Sequence, residues 1–244
     1  MTGFFMAWGM FFAIPCPVLK WDEKEYPQML LCLPLIGLFI GAIWSIIALL
    51  VMKLGGLGLF GPAILSLIPA LLTGFMHLDG YMDCSDAVLS RRDLETKRRI
   101  LKDSHVGAFA VIALVIWALL NFAAFASVTL DSRILCLIFI PAAVRCCSAF
   151  AVLSFQPMNT SSYVMIPETV KPYHKFIALI MLAIFVIIPI IICGLPGISC
   201  LIGAAASMLT ILYIRRELQG MSGDISGAAI VIGEIFAAAV LAVL

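Results

Sequence analysis

The stretch MLLCLPLIGLFIGAIWSIIALLVM, Met29 to Met52, carries no charged side chain over 24 residues. As an α-helix rising about 1.5 Å per residue it reaches about 36 Å, enough to cross the roughly 30 Å hydrocarbon core of a bilayer. Its apolar residues are continuous rather than alternating, so a helix is expected and a barrel strand is not. Similar runs recur along the chain, which is 64% hydrophobic and 12% charged over 244 residues, with a mean hydropathy of +1.16. A lipid core admits only backbones that satisfy themselves, so these runs predict an all-α, polytopic transmembrane helix bundle.

The expected spans are 29–52, 59–77, 107–130, 133–155, 176–194, 197–214 and 226–244, about seven in all. Residues 3–19 are apolar but broken by Pro15 and Pro17, which fits a short eighth span or a re-entrant or interfacial segment. They show neither a basic leader nor a small-residue cleavage site, so a cleaved signal peptide is not expected. The polar connections are too short for a soluble domain, and residues 1–244 are read as a single integral membrane domain. The eight cysteines form no CxxC pair and lie mostly in apolar runs, as small buried hydrophobes do.

Formal net charge is +1, which gives no basis for nucleic-acid binding, but the placement of charge is informative. If the seven spans alternate, twelve of the fifteen Lys and Arg residues fall on one side: Lys20 and Lys24, six between Arg91 and Lys102, Lys171 and Lys175, and Arg215 and Arg216. By the positive-inside rule that side is cytoplasmic, in a membrane crossed several times.

The stretch HLDGYMDCSDAVLSRRDLETKRRILKDSHVGAF, His77 to Phe109, opens on that side and holds six acidic and six basic residues. Asp79, Asp83 and Asp86 recur at i, i+4 and i+7, within about 60° of one face of a continued helix. Like charges so close repel unless a cation sits among them, and Mg²⁺, which favours a few carboxylates plus substrate phosphates, suits the pattern. Gly80 beside the first of them lets a ligand or a neighbouring backbone approach closely. Solvation of a helix end by acids is the plainer alternative. The basic residues that follow orient the chain and meet anionic lipid, and an arginine fork among them matches phosphate oxygens.

Asp103-Ser104 reads as an N-cap for the span from about 107, with a catalytic or metal-binding role for Asp103 as the alternative. His105 and His77 stand at the same boundary, as structural residues or as phosphate and proton partners. Three further charges lie in apolar surroundings: Arg145 in PAAVRCCSAF, and Asp224 and Glu234 in MSGDISGAAIVIGE. Either Arg145 and Glu234 pair to hold the bundle, or they line a polar cavity open to the cytoplasm and continuous with the Asp triplet. The cavity is the expected arrangement, because the second motif begins beside the cytoplasmic mouth and Glu234 lies only about 15 Å along the helix from Asp224.

HLDGYMDCSDA, LKDSHVGAFA and GDISGAAIVIGE, together with the N-terminal AWGMFFAIPCPV and LPLIGLFIGAI, resemble the cobalamin synthase family, the adenosylcobinamide-GDP ribazoletransferases. The resemblance spans most of the chain. It departs at Ala87 and Ala110, where the family often has glycine, and at His105, where arginine is common. It implies a Mg²⁺-dependent membrane transferase that joins adenosylcobinamide-GDP to α-ribazole, or to its 5′-phosphate, and releases GMP. On that reading Asp79, Asp83 and Asp86 serve Mg²⁺ and pyrophosphate, and Asp103 is a further ligand or the base at the ribazole hydroxyl. Lys102 and Arg99 clamp phosphate, and His77, Gly80, Ser104, His105, Arg145, Asp224 and Glu234 belong to the substrate cavity. A homo-oligomer is compatible with the sequence.

Two other activities fit parts of the pattern. A CDP-alcohol phosphatidyltransferase shares metal-dependent phosphotransfer in a helical bundle, yet its DxxDGxxAR followed by GxxxDxxxD is not met after Asp79-Gly80. A divalent-cation transporter also carries intramembrane acids, but those should line a route through both leaflets, whereas here they crowd one end.

Overall fold

The computed structural model describes residues 1–18, 20–129, 133–158 and 169–244. Their regular structure is helical throughout, with one isolated bridge between Pro157 and Met221. In chain order the helices are α1 (Thr2–Phe11), α2 (Tyr26–Lys53), α3 (Phe60–Leu72), α4 (Met76–Leu89), α5 (Leu94–Ile100), α6 (Ala108–Ser127), α7 (Ile134–Ser154), α8 (Pro172–Cys193), α9 (Ile198–Leu218) and α10 (Gly223–Val243). Six of them, α2 and α6 to α10, are long and apolar enough to cross a membrane, and α3 with α4 makes a seventh if that bent pair counts as one span. The polytopic bundle expected from hydropathy is therefore present. Leu130, the expected end of the third span, lies outside the described residues.

Helix α7 is the hub, buried along nearly its whole length and packed against α2, α8, α9 and α10. Hydrocarbon gives no hydrophobic drive for helices to associate, so contact depends on close backbone approach. Gly37 and Gly41, one turn apart on α2, provide it: a Cβ at these positions would stand 2.6 Å from the Pro141 carbonyl and 2.2 Å from the Ile138 carbonyl of α7. The outward faces of α6 and α8 present Leu, Ile, Val and Phe, as lipid-facing surfaces do.

One open alternative closes and one expectation changes. Of the readings open for residues 3–19, the short span is not met: α1 has ten residues, about 15 Å of helix, and packs on α2. Leu19 lies outside the described residues. The expected span 59–77 is broken by a 90° bend between α3 and α4. Gly74 (φ +59°) and Phe75 (φ +63°) both sit in the left-handed region, and the Phe75 and Gly74 amides close back onto the carbonyls of Ala70 and Leu71. The α3 C-terminus is thus satisfied within a continuous apolar run. His77 therefore opens a new helix rather than ending a span.

Candidate active site

Helix α4 carries Asp79, Asp83 and Asp86 in its 14 residues. Asp79 is exposed, Asp83 half-buried and Asp86 buried, so the acidic face runs from solvent into the protein. The N-terminus of α10 lies directly over it. A Cβ at Gly80 would come within 2.9 Å of both Cα and the carbonyl oxygen of Asp224, so the glycine admits a neighbouring backbone. That contact brings in Asp224 as a further carboxylate. Asp83 lies within electrostatic reach of Asp79, Asp224 and Asp86, and Asp224 within reach of Asp79. Among the described residues no three His, Cys, Asp or Glu side chains are drawn together into a ready-made metal cage.

Asp86 has a different task from its two neighbours. Its Oδ2 accepts from the Gly107 amide at 2.6 Å and its Oδ1 from the Ala110 amide at 3.0 Å. It therefore caps α6 from another helix and places a negative charge at the positive end of the dipole. A Cβ on Gly107 would lie 2.5 Å from the carboxylate, so that glycine is what admits it. The expected cap, Asp103-Ser104, is not used. Asp103 instead accepts from the His105 amide at 3.0 Å, with His105 Nδ1 2.6 Å away, and both residues are exposed. Those bonds from His105, the amide first, hold the Asp103 carboxyl below the usual carboxylate range, which weakens it as a proton acceptor.

The basic segment divides as well. Lys97 is buried and pairs with Glu217 at the end of α9. Arg98 donates to the carbonyls of Leu218 and Gln219, which terminate that helix. These two residues latch α5 across the C-terminus of α9, whose Gln219 adopts the left-handed conformation. The latch supports the turn Gly220–Ser222 that delivers Asp224, and this turn also bonds through Met221 to Gln156 and Met158 beyond α7. Arg99 and Lys102 remain exposed and line a shallow basin with Asp103. Arg215 lies 4.1 Å over the Phe155 ring.

Deeper in the bundle, Arg145 Nη1 donates to Glu234 Oε1 at 2.8 Å and to the Pro141 carbonyl at 3.0 Å. Arg145 is completely buried and Glu234 nearly so. Among the described residues, the expected polar cavity shared with the Asp triplet is not found around this pair. The two line a chamber of only about 20 Å³ with His77, Thr73, Asn121 and Trp117 among others, room for about one water. Arg145 Nε and Nη2 and His77 Nδ1 are buried there or nearby without a partner among the described residues.

The family model for cobalamin-5-phosphate synthase matches residues 3–242. The chain belongs to the cobalamin-5-phosphate synthase family. A protein of Clostridium perfringens named adenosylcobinamide-GDP ribazoletransferase is 39% identical over 236 residues, covering 94% of this chain and 92% of that one. A Clostridium botulinum protein of the same name is 37% identical, covering 96% and 94%, and one from Lachnoclostridium phytofermentans is 30% identical, covering 97% and 92%. No solved structure matches.

In this synthase-family chain, Asp79, Asp83, Gly80 and Asp224 come together at one end of the bundle, Arg145 and Glu234 pair in its interior, and His77 stands between the two, lining a cavity with each. Ser104 and His105 sit exposed with Asp103 in the loop before α6. Sequence reasoning set Asp224 beside the acidic triplet but missed the Asp86 cap and the Lys97–Glu217 latch. Only for the Asp86 cap was there a signal, in that Gly107 follows the expected cap at the very start of a helix.

Proposed function

We propose that this protein is an adenosylcobinamide-GDP ribazoletransferase, joining adenosylcobinamide-GDP to α-ribazole or its 5′-phosphate and releasing GMP. The observation that carries the reading is the convergence of Asp79, Asp83 and Asp224 from two helices, in a chain of this family. Carboxylates pressed together without a cation among them are unstable alone and suited to a hard divalent ion. Mg²⁺ needs only one or two of them, since it keeps waters and takes substrate phosphates as its other ligands, so the lack of a closed cage agrees with the donor set. Asp79 and Asp83 would hold it, which leaves Asp224 free of the metal. Both Asp86 oxygens are committed to α6, and Asp103 is committed to His105.

When bound, the metal offsets charge developing on the leaving phosphate. The remaining work falls to side chains of this chain. The acceptor hydroxyl attacks the phosphorus that bears the corrinoid arm, and the bond from that phosphorus to the GMP oxygen breaks. Asp224, on the wall nearest the protein interior, orients the hydroxyl and receives its proton. Arg99 and Lys102, exposed beside α4, hold phosphate oxygens of the incoming donor. The positive-inside rule supports a cytoplasmic orientation for this end, since the basic residues of the latch and Arg215 lie at it. Arg91 and Arg92 meet anionic lipid there.

The test supplies purified protein with adenosylcobinamide-GDP, α-ribazole and Mg²⁺ and looks for cobalamin and GMP by mass spectrometry, with CDP-alcohol substrates in parallel. Formation of both products, lost on chelation and regained with Mg²⁺, is expected. Turnover of the CDP-alcohols alone would replace the reading with the phosphatidyltransferase one.

A further inference from the structure

A cavity of about 200 Å³ lies between α1, α2, α4, α7 and α10, on the protein side of Asp224. Its walls are mainly apolar, with Phe11 from α1, Leu33 from α2, Met76 from α4 and Val152 from α7, and its polar lining includes Asp224, Ser226 and His77. Ser226 Oγ and His77 Nδ1 are buried and have no hydrogen-bond partner among the described residues. Such atoms carry a desolvation cost until something pairs with them. The Phe11 and His77 rings stand parallel within 7°, their centroids 6.3 Å apart, so flat aromatic surfaces already border the space. Apolar walls, a few convergent polar atoms and aromatic faces together make the lining of a site for a small planar ligand.

We propose that this cavity receives the aromatic base of the acceptor nucleoside. The inference rests on the transferase reading and deepens it. A bicyclic, largely apolar base with ring nitrogens matches the space, the apolar walls and the unpaired donors and acceptors. A corrinoid macrocycle is far too large for it, so the donor stays on the outer side of the carboxylates. Asp224 belongs both to the cavity wall and to the acidic group. A base seated inside therefore brings its own sugar hydroxyl to the carboxylates. The short helix α1, too short to span the membrane, gains a purpose: it supplies the ring that closes the pocket over α4.

The experiment measures KM for α-ribazole and for adenosylcobinamide-GDP separately, together with the inhibition constant of benzimidazole alone. In the wild-type protein benzimidazole should compete with the acceptor and not with the donor. Leu33→Phe, which fills the cavity, should raise the acceptor KM and the benzimidazole constant at least tenfold while donor KM stays within about twofold. Val152→Leu, a milder intrusion for use if the first variant does not fold, should give the same split at about threefold. Active variants with unchanged acceptor KM, or benzimidazole that fails to compete in the wild type, overturn the pocket while leaving the transferase reading intact. A wild-type protein that makes no cobalamin and GMP removes the reading and the pocket with it.

Discussion

The two acidic regions of this bundle solve the problem of charge in opposite ways. At the end of the bundle, Asp79, Asp83 and Asp224 face one another across a backbone contact at Gly80, half-exposed and with no cation bonded to them among the described residues. In the interior, Glu234 meets Arg145 directly at 2.8 Å, in a chamber with room for about one water. The interior pair is internally balanced, and its value lies in what would follow from breaking it. The outer group is unbalanced, and its charges are tolerated because water can reach them. Charge that is satisfied by protein is architecture, and charge left for something else to satisfy is chemistry.

The sharpest way to break this contrast is Asp83→Asn. Turnover should fall by roughly 10³-fold, about 4 kcal/mol of lost transition-state stabilisation. The melting temperature should hold or rise slightly as repulsion is relieved. Near-normal turnover at saturating Mg²⁺ would put Asp83 on the architectural side.

Glu234→Gln should behave in the reverse manner. It strands a buried guanidinium at a cost of about 3–5 kcal/mol, while adding Arg145→Met should recover most of that stability. Thermal unfolding of the purified single and double variants measures both. A single variant of normal stability but poor turnover would return Glu234 to a substrate cavity.

Asp86 sharpens the comparison, because it stands in the acidic triplet yet is bonded as a structural residue. Asp86→Ala removes the acceptors of Gly107 and Ala110 and should cost about 1–2 kcal/mol. Asp86→Asn, which keeps one acceptor, should cost less. Hydrogen exchange at the first turn of α6 should rise in step, while Mg²⁺ dependence of the residual activity stays as in wild type. The smallest effect is expected for Lys97→Met. Its pair with Glu217 is partly solvated, with Glu217 33% exposed, so the loss should be about 1 kcal/mol or less. Reversal of both charges should restore it.

The apolar spans were legible because crossing hydrocarbon is a property of a single segment. Length and continuous hydropathy suffice to recognise it, and six long helices fall within a few residues of their expected limits. Asp79 and Asp83 were legible for a related reason, since spacing along one helix sets a shared face without reference to any partner. The bend at Gly74 and Phe75 was not, because the apolar run continues through it and hides the change of direction. From that bend follow the contacts that hydropathy does not encode: Asp86 at the start of α6, Asp224 over Gly80, and His77 facing the bundle interior. The Arg145–Glu234 pair could be proposed from the cost of isolated charge, but only the rotation and depth of α7 and α10 chose it over an open cavity. Sequence by itself determined what each segment must do in a membrane, because that depends on transfer of the segment from water. Tertiary structure alone decided which carboxylates are bonded within the protein and which are left unpaired among the described residues, because that depends on distances between helices far apart in the chain.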